Sequence, residues 1–176
     1  MIAERLAPHR DSILDAWRSH ILKCYPEEGR VHLRKGGDPF GNPIGAAILE
    51  ATGPLYDQLV SGVDCEDRRL LLDRLIRPRA IQEFKPSQAV GFVQRLRNIV
   101  RDVLAGEGGS EADVEFREFS DRMDRLTLEA FDVYTQCRED VFSIRLKEVR
   151  NRSLKAFERL NEWQVRKYGG AESPES

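Results

Sequence analysis

The second half of this chain lacks the residues that interrupt helices. From Glu111 to Tyr168 there is neither a proline nor a glycine, so nothing over that stretch obliges a helix to stop. Every proline but Pro174 lies at or before position 86, which confines sharp corners to the first half. Cysteine is scarce. Cys24, Cys65 and Cys137 are odd in number and far apart, which argues against a disulfide framework and for a reducing, cytoplasmic setting. No apolar run approaches the ~20 residues that span a bilayer, so membrane insertion is not expected. The opening MIAERLAPHRDSILDAW mixes acids and bases and has no signal-peptide block. A net charge of −2 gives no whole-molecule field to attract nucleic acid.

What is present is amphipathic. Of 176 residues, 40% are hydrophobic and 33% charged, and the charged share exceeds the usual quarter. That balance suits helices with heavily charged outer faces. The length fits one domain, expected as a single helical unit over 1–168 with a disordered tail at 169–176.

The first helix is expected from about Ala3, or Pro8, to about Cys24, with Ile2, Leu6, Ile13, Trp17 and Cys24 on one face. A glycine-rich loop follows over 26–41. Asn42 caps the next helix and Pro43 occupies its first position. Gly53-Pro54 is expected to kink or split that helix. Another helix begins at Asp64 and turns Leu71, Leu72, Leu75 and Ile76 inward, with Pro78 disturbing its end. A short segment runs from Ala80 to Phe84. Pro86 then starts the most apolar helix, reaching about Leu104 through Ala89, Phe92, Val93, Leu96, Ile99, Val100 and Val103, so it belongs at the centre of the core.

Ser110 reads as the N-cap of a terminal helix over about 111–168. If unbroken it spans roughly 87 Å at about 1.5 Å per residue. Phe119, Met123, Leu126, Ala130, Val133 and Cys137 keep a four-three spacing, Val141 and Ile144 extend it, and Leu146, Val149, Phe157, Leu160 and Trp163 continue it in shifted register. Asn151-Arg152-Ser153 is the expected point of any break. A domain of this size is only about 30–35 Å across. The far end of such a helix therefore needs a partner helix or must fold back, and a second copy of the chain is the favoured partner.

Chemistry-bearing constellations are sparse. His9 and His20 are too far apart along a helix to share a metal, and His20 with Cys24 gives two ligands where zinc wants about four. The histidines are His9, His20 and His32, and none lies on the helices after residue 42 where a haem ligand would sit. Cys65 is the best candidate for a redox thiol, at a helix start, but Glu66 and Asp67 oppose a thiolate there. No nucleophile elbow, catalytic Cys/His constellation or glycine-rich phosphate loop is present. No cofactor, metal or catalytic residue is therefore expected. The cluster Arg145, Lys147, Arg150, Arg152 and Lys155 reads as a charged helix end rather than a nucleic-acid surface.

One corner stands out: Arg77-Pro78-Arg79-Ala80-Ile81-Gln82-Glu83-Phe84-Lys85-Pro86-Ser87-Gln88-Ala89-Val90-Gly91-Phe92. Gly91 is the residue type needed where backbone comes close. Gln82 and Gln88 are candidates to satisfy buried backbone groups. The corner is either structural, or a ligand pocket or dimer seam formed by Trp17, His20, Arg77, Arg79, Gln82, Phe84, Gln88 and Phe92.

This motif resembles the signature of the RsbRD N-terminal domain family. So do Trp17 with Tyr25-Pro26, and Phe40-Gly41-Asn42-Pro43-Ile44-Gly45. The resemblance runs over roughly Ile13 to Leu104, and the long helix fits the family's plan. It implies an all-α, globin-like helical bundle without haem, similar to the N-terminal sensor domains of stressosome RsbR-type proteins, which form dimers. There the terminal helix leads to an output domain. Here the sequence ends soon after that helix, so a standalone version is expected. The expected function is a non-enzymatic sensory module, a homodimer with an unknown regulatory protein partner. The alternative is a small-ligand or redox sensor with a pocket near 77–92.

Overall fold

The computed structural model describes residues 1–25, 41–63, 67–106 and 114–168. The expected loop over 26–41 (save Gly41), the helix start at Asp64, Cys65, the Ser110 cap and the tail lie outside the described residues. Within them the chain is all-α, a bundle with a long terminal helix, and no strand occurs among the described residues. The elements are α1 (Ile2–Leu6), a 3-10 turn (Ala7–His9), α2 (Arg10–Lys23), α3 (Pro43–Ser61), α4 (Arg68–Ile81), α5 (Pro86–Val90), α6 (Phe92–Gly106) and α7 (Val114–Tyr168). They divide into two compact units, Met1–Arg138 and a second that begins at Glu139.

Local chemistry explains most boundaries. Asn42 Oδ1 accepts the amide of Gly45 at 2.9 Å, and Pro43 opens α3 with no amide to leave unsatisfied. Gly62 ends α3 in the left-handed region at φ 73°, where glycine alone avoids Cβ strain. Arg122 Nε reinforces that end by donating to the carbonyl of Leu59 at 2.7 Å.

Several expected interruptions fall elsewhere. The first helix is two, because Pro8 sits in a 3-10 turn between α1 and α2. Cys24, expected on the buried face, is exposed. Gly53-Pro54 does not split α3, which runs from Pro43 to Ser61 with Pro54 inside it. Likewise α4 passes through Pro78 to Ile81. The helix expected over 86–104 is broken at Gly91 into α5 and α6. No break occurs at Asn151-Arg152-Ser153.

The first unit holds one core. Its central stripe is Phe92, Val93, Leu96 and Val100 of α6, against Leu6, Ile13, Trp17 and Ile21, Leu55 and Leu59, Leu72 and Ile76, and Phe119, Met123, Leu126 and Ala130. These side chains are buried nearly completely, and each contributes about 1.5–3 kcal/mol of hydrophobic stabilisation. Polar ties fix α7 against the rest: Gln94 Nε2 donates to Thr127 Oγ1 at 2.8 Å, and Arg97 pairs with Asp124. The second unit is a single helical stretch, with every residue from Phe142 to Tyr168 exposed.

Candidate functional site

The 77–92 corner is built around a buried arginine. Arg79 is 1% exposed, in the last turn of α4. Its Nε donates to Tyr25 Oη at 3.3 Å and its Nη1 to the carbonyl of Ala89 at 3.1 Å. Its guanidinium lies 4.7 Å from the ring centre of Phe92 and 5.5 Å from that of Tyr25, distances at which the ring quadrupole attracts a cation. Nη2 is buried with no hydrogen-bond partner among the described residues.

Aromatic groups close the cage. Trp17 is fully buried. Its indole N–H donates to the carbonyl of Phe92 at 2.8 Å, and its ring stacks with Phe92 at 6.1 Å. Tyr25 meets Phe84 at 5.3 Å. Gly91 is needed here: a Cβ would lie 2.5 Å from the carbonyl oxygen of Ser87, so only glycine lets the α5 turn pass so tightly into α6.

Of the eight expected residues, the structure brings Trp17, Arg79, Phe84 and Phe92 together. His20 stands beside them, half-buried, its pKa lowered mainly by burial, then by the charges of Arg95, Lys23 and Arg79. Arg77 points to another place: its guanidinium grips Asp73 with bonds of 2.9 and 2.8 Å, which holds that carboxyl below its usual range. Gln82 and Gln88 are exposed, so the expectation that they satisfy buried backbone groups is corrected. Gln88 Oε1 accepts the amide of Lys85 at 3.3 Å, a cap on the short α5.

Sequence reasoning missed the residues that tie this corner to α7. Tyr134 Oη donates to the carbonyl of Phe84 at 2.5 Å. Arg138 Nη1 donates to the carbonyl of Ala80 at 2.9 Å, placing a cation at the C-terminal end of α4, where the helix dipole favours one. Their only signal was position: Tyr134 and Arg138 each follow a core residue, Val133 and Cys137, by one step. Below the corner, a pocket of about 400 Å³ is lined by Arg69, Leu70, Asp73, Arg77, Val133, Gln136 and Cys137. The buried Cys137 thiol donates to Asp73 Oδ1 at 3.5 Å there. Among the described residues no cluster of three or more His, Cys, Asp or Glu forms a metal site. No helix among them is long and apolar enough to cross a membrane.

The arrangement defines a class: an all-helical domain whose buried aromatic corner is hydrogen-bonded directly to a long helix. The chain belongs to the family described as the RsbT co-antagonist protein rsbRD N-terminal domain, which matches residues 11–149. No curated protein and no solved structure matches the chain.

Proposed function

We propose that the chain is a non-enzymatic sensory and regulatory interaction module that acts as a homodimer and passes a small helix shift to a protein partner through α7. The observation that carries this reading is the pair of bonds from Tyr134 and Arg138 to the carbonyls of Phe84 and Ala80. A change of packing around Arg79 must move those carbonyls, and so must move α7 or break its ties to the corner. Packed elements of this kind shift between discrete arrangements rather than deforming smoothly. Family membership supports the regulatory role. The dimer contact is assigned to the outer face of α7 in the first unit, where Leu128 and Phe131 are 68% and 49% exposed and one helical turn apart.

Sedimentation velocity tests the assembly. A dimer at micromolar concentration, converted to monomer by Leu128→Arg with Phe131→Glu, is the expected result. A wild-type monomer overturns the homodimer. For the coupling, disulfide-free spin labels on α7 should report altered mobility in Tyr134→Phe and Arg138→Ala, with no change in helix content. Unaltered mobility in both removes the coupling.

A second reading rests on the pocket beside Arg77. Its two arginines and buried thiol suit a small anionic or thiol-reactive ligand, which makes the module a ligand or redox sensor. Native mass spectrometry and the absorbance spectrum of purified protein separate this from the plain interaction module.

A further inference from the structure

The second unit carries a narrow apolar seam flanked by a ladder of arginines. Phe142, Leu146, Val149, Leu160 and Trp163 follow alternating four- and three-residue steps through the small pair Ser153 and Ala156. Their helix is continuous, and the five large residues are 53–63% exposed. A 3.5-residue repeat is the pattern of a helix that packs along another helix. Beside the seam, at strict seven-residue intervals, stand Arg145, Arg152, Arg159 and Arg166. These are the flanking positions that choose a partner in paired helices.

A second copy answers this ladder poorly. In a parallel pair, Arg145 meets Arg150, and Arg152 and Arg159 meet Phe157 and Gln164. In an antiparallel pair, arginine faces arginine. No flanking position of this stretch holds an acid; Glu148, Glu158 and Glu162 fall outside them. A membrane surface suits it no better, since an interfacial helix presents a broad apolar face whereas Ile144, Leu154 and Val165 fall off this seam. We infer that the stretch from Phe142 to Arg166 is a docking surface for a protein helix with an apolar stripe flanked by glutamate or aspartate. This deepens the regulatory reading above by giving its partner a chemistry, and it leaves the homodimer on the first unit.

The test uses the full chain and two synthetic helices of about four heptads, with leucine at the core positions and either glutamate or lysine at every flanking position. Trp163 is 55% exposed and Trp17 is fully buried, so a blue shift of emission on titration reports the seam. The glutamate helix is expected to bind at least about tenfold more tightly than the lysine helix, as four charge pairs of modest strength imply. That preference should shrink as salt rises. Replacing all four ladder residues (Arg145→Glu, Arg152→Glu, Arg159→Glu, Arg166→Glu) should reverse the preference while leaving sedimentation of the wild-type dimer unchanged, so failure here is distinct from failure of the homodimer. Equal binding of both helices overturns the inference. So does a Trp163 shift on phosphatidylglycerol vesicles that the glutamate helix does not compete, or self-association that masks Trp163 before any helix is added.

Discussion

Replacing Arg79 by methionine and by alanine separates what its charge contributes from what its volume contributes. The favourable side has two long hydrogen bonds, at 3.3 and 3.1 Å, each worth about 1.5 kcal/mol from a charged donor. A cation–π contact at 4.7 Å adds about 1–2 kcal/mol. The opposing side has the desolvation of a fully buried guanidinium, several kcal/mol even after relaxation, and the unpartnered Nη2, about 1–3 kcal/mol. The two sides nearly cancel, so the charge itself contributes little net stability and the side chain's bulk contributes most. Arg79→Met, which keeps the stem and fills the cage between Tyr25 and Phe92, should stay within about 1.5 kcal/mol of the wild type. Arg79→Ala opens a cavity and should cost about 2–5 kcal/mol. At this domain size each kcal/mol moves Tm by about 3–5 °C. Calorimetric melting of the three proteins decides it. If Arg79→Met melts as low as Arg79→Ala, the guanidinium's bonds outweigh its desolvation and the reasoning fails.

The phenol of Tyr56 is buried without a hydrogen-bond partner among the described residues, and burial pushes its pKa up to about 12; Tyr56→Phe should therefore leave stability unchanged or raise it by up to about 1 kcal/mol, and a loss on urea denaturation would reveal a partner. Gly91→Ala forces a Cβ against the carbonyl oxygen of Ser87 at 2.5 Å and should cost about 1–3 kcal/mol, read as a lower denaturation midpoint. The depressed pKa of His20 means the unfolded chain binds the proton more readily, so its contribution is complete above about pH 6.5 and fades as pH falls from there; His20→Gln should flatten the drop in Tm between pH 7 and 5. Asp73, whose pKa is lowered chiefly by its bonds to Arg77, acts in a more acidic window, stabilising above about pH 4 and less below it, and Asp73→Asn should remove that part of the acid limb.

The stripe of α6, the Asn42-Pro43 start and the four-three spacing of α7 through Cys137 were legible, because each depends on residues within a few positions of one another. The placement of breaks was not. Pro54 and Pro78 were expected to disturb their helices, yet α3 and α4 run through them. Packing on the buried faces of those helices, through Leu55, Leu59, Leu75 and Ile76, offsets one lost hydrogen bond at each. Gly91 was read as a place of close approach, and it is one, but the same closeness that requires glycine also ends α5. The site followed the same division. Trp17, Arg79 and Phe92 could be picked out as unusual residues in a recognisable motif. That Gln82 and Gln88 face solvent while Tyr134 and Arg138 reach in from a helix some fifty residues later could not, since it depends on which face of α7 meets the corner.

That dependence bears on the proposed coupling. Arg138 closes the first unit and Glu139 opens the second, so the last tie from the corner is made by the final residue of the first unit, four positions before Phe142. Its bond ends on Ala80, one residue from Arg79, and Tyr134 ends on Phe84, which packs on Tyr25 beside the same guanidinium. Loosening Arg79 therefore releases both ties within about one and a half helical turns of the junction. On the coupling proposed above, a rearrangement at the corner needs no path through the rest of the core to reach that point. On that coupling, Arg138→Ala should change the Trp163 emission response while leaving the melting of the first unit within about 1.5 kcal/mol of the wild type, the value for one part-buried hydrogen bond from a charged donor. A loss of stability as large as that of Arg79→Ala would mean Arg138 holds the core together rather than linking the corner to α7.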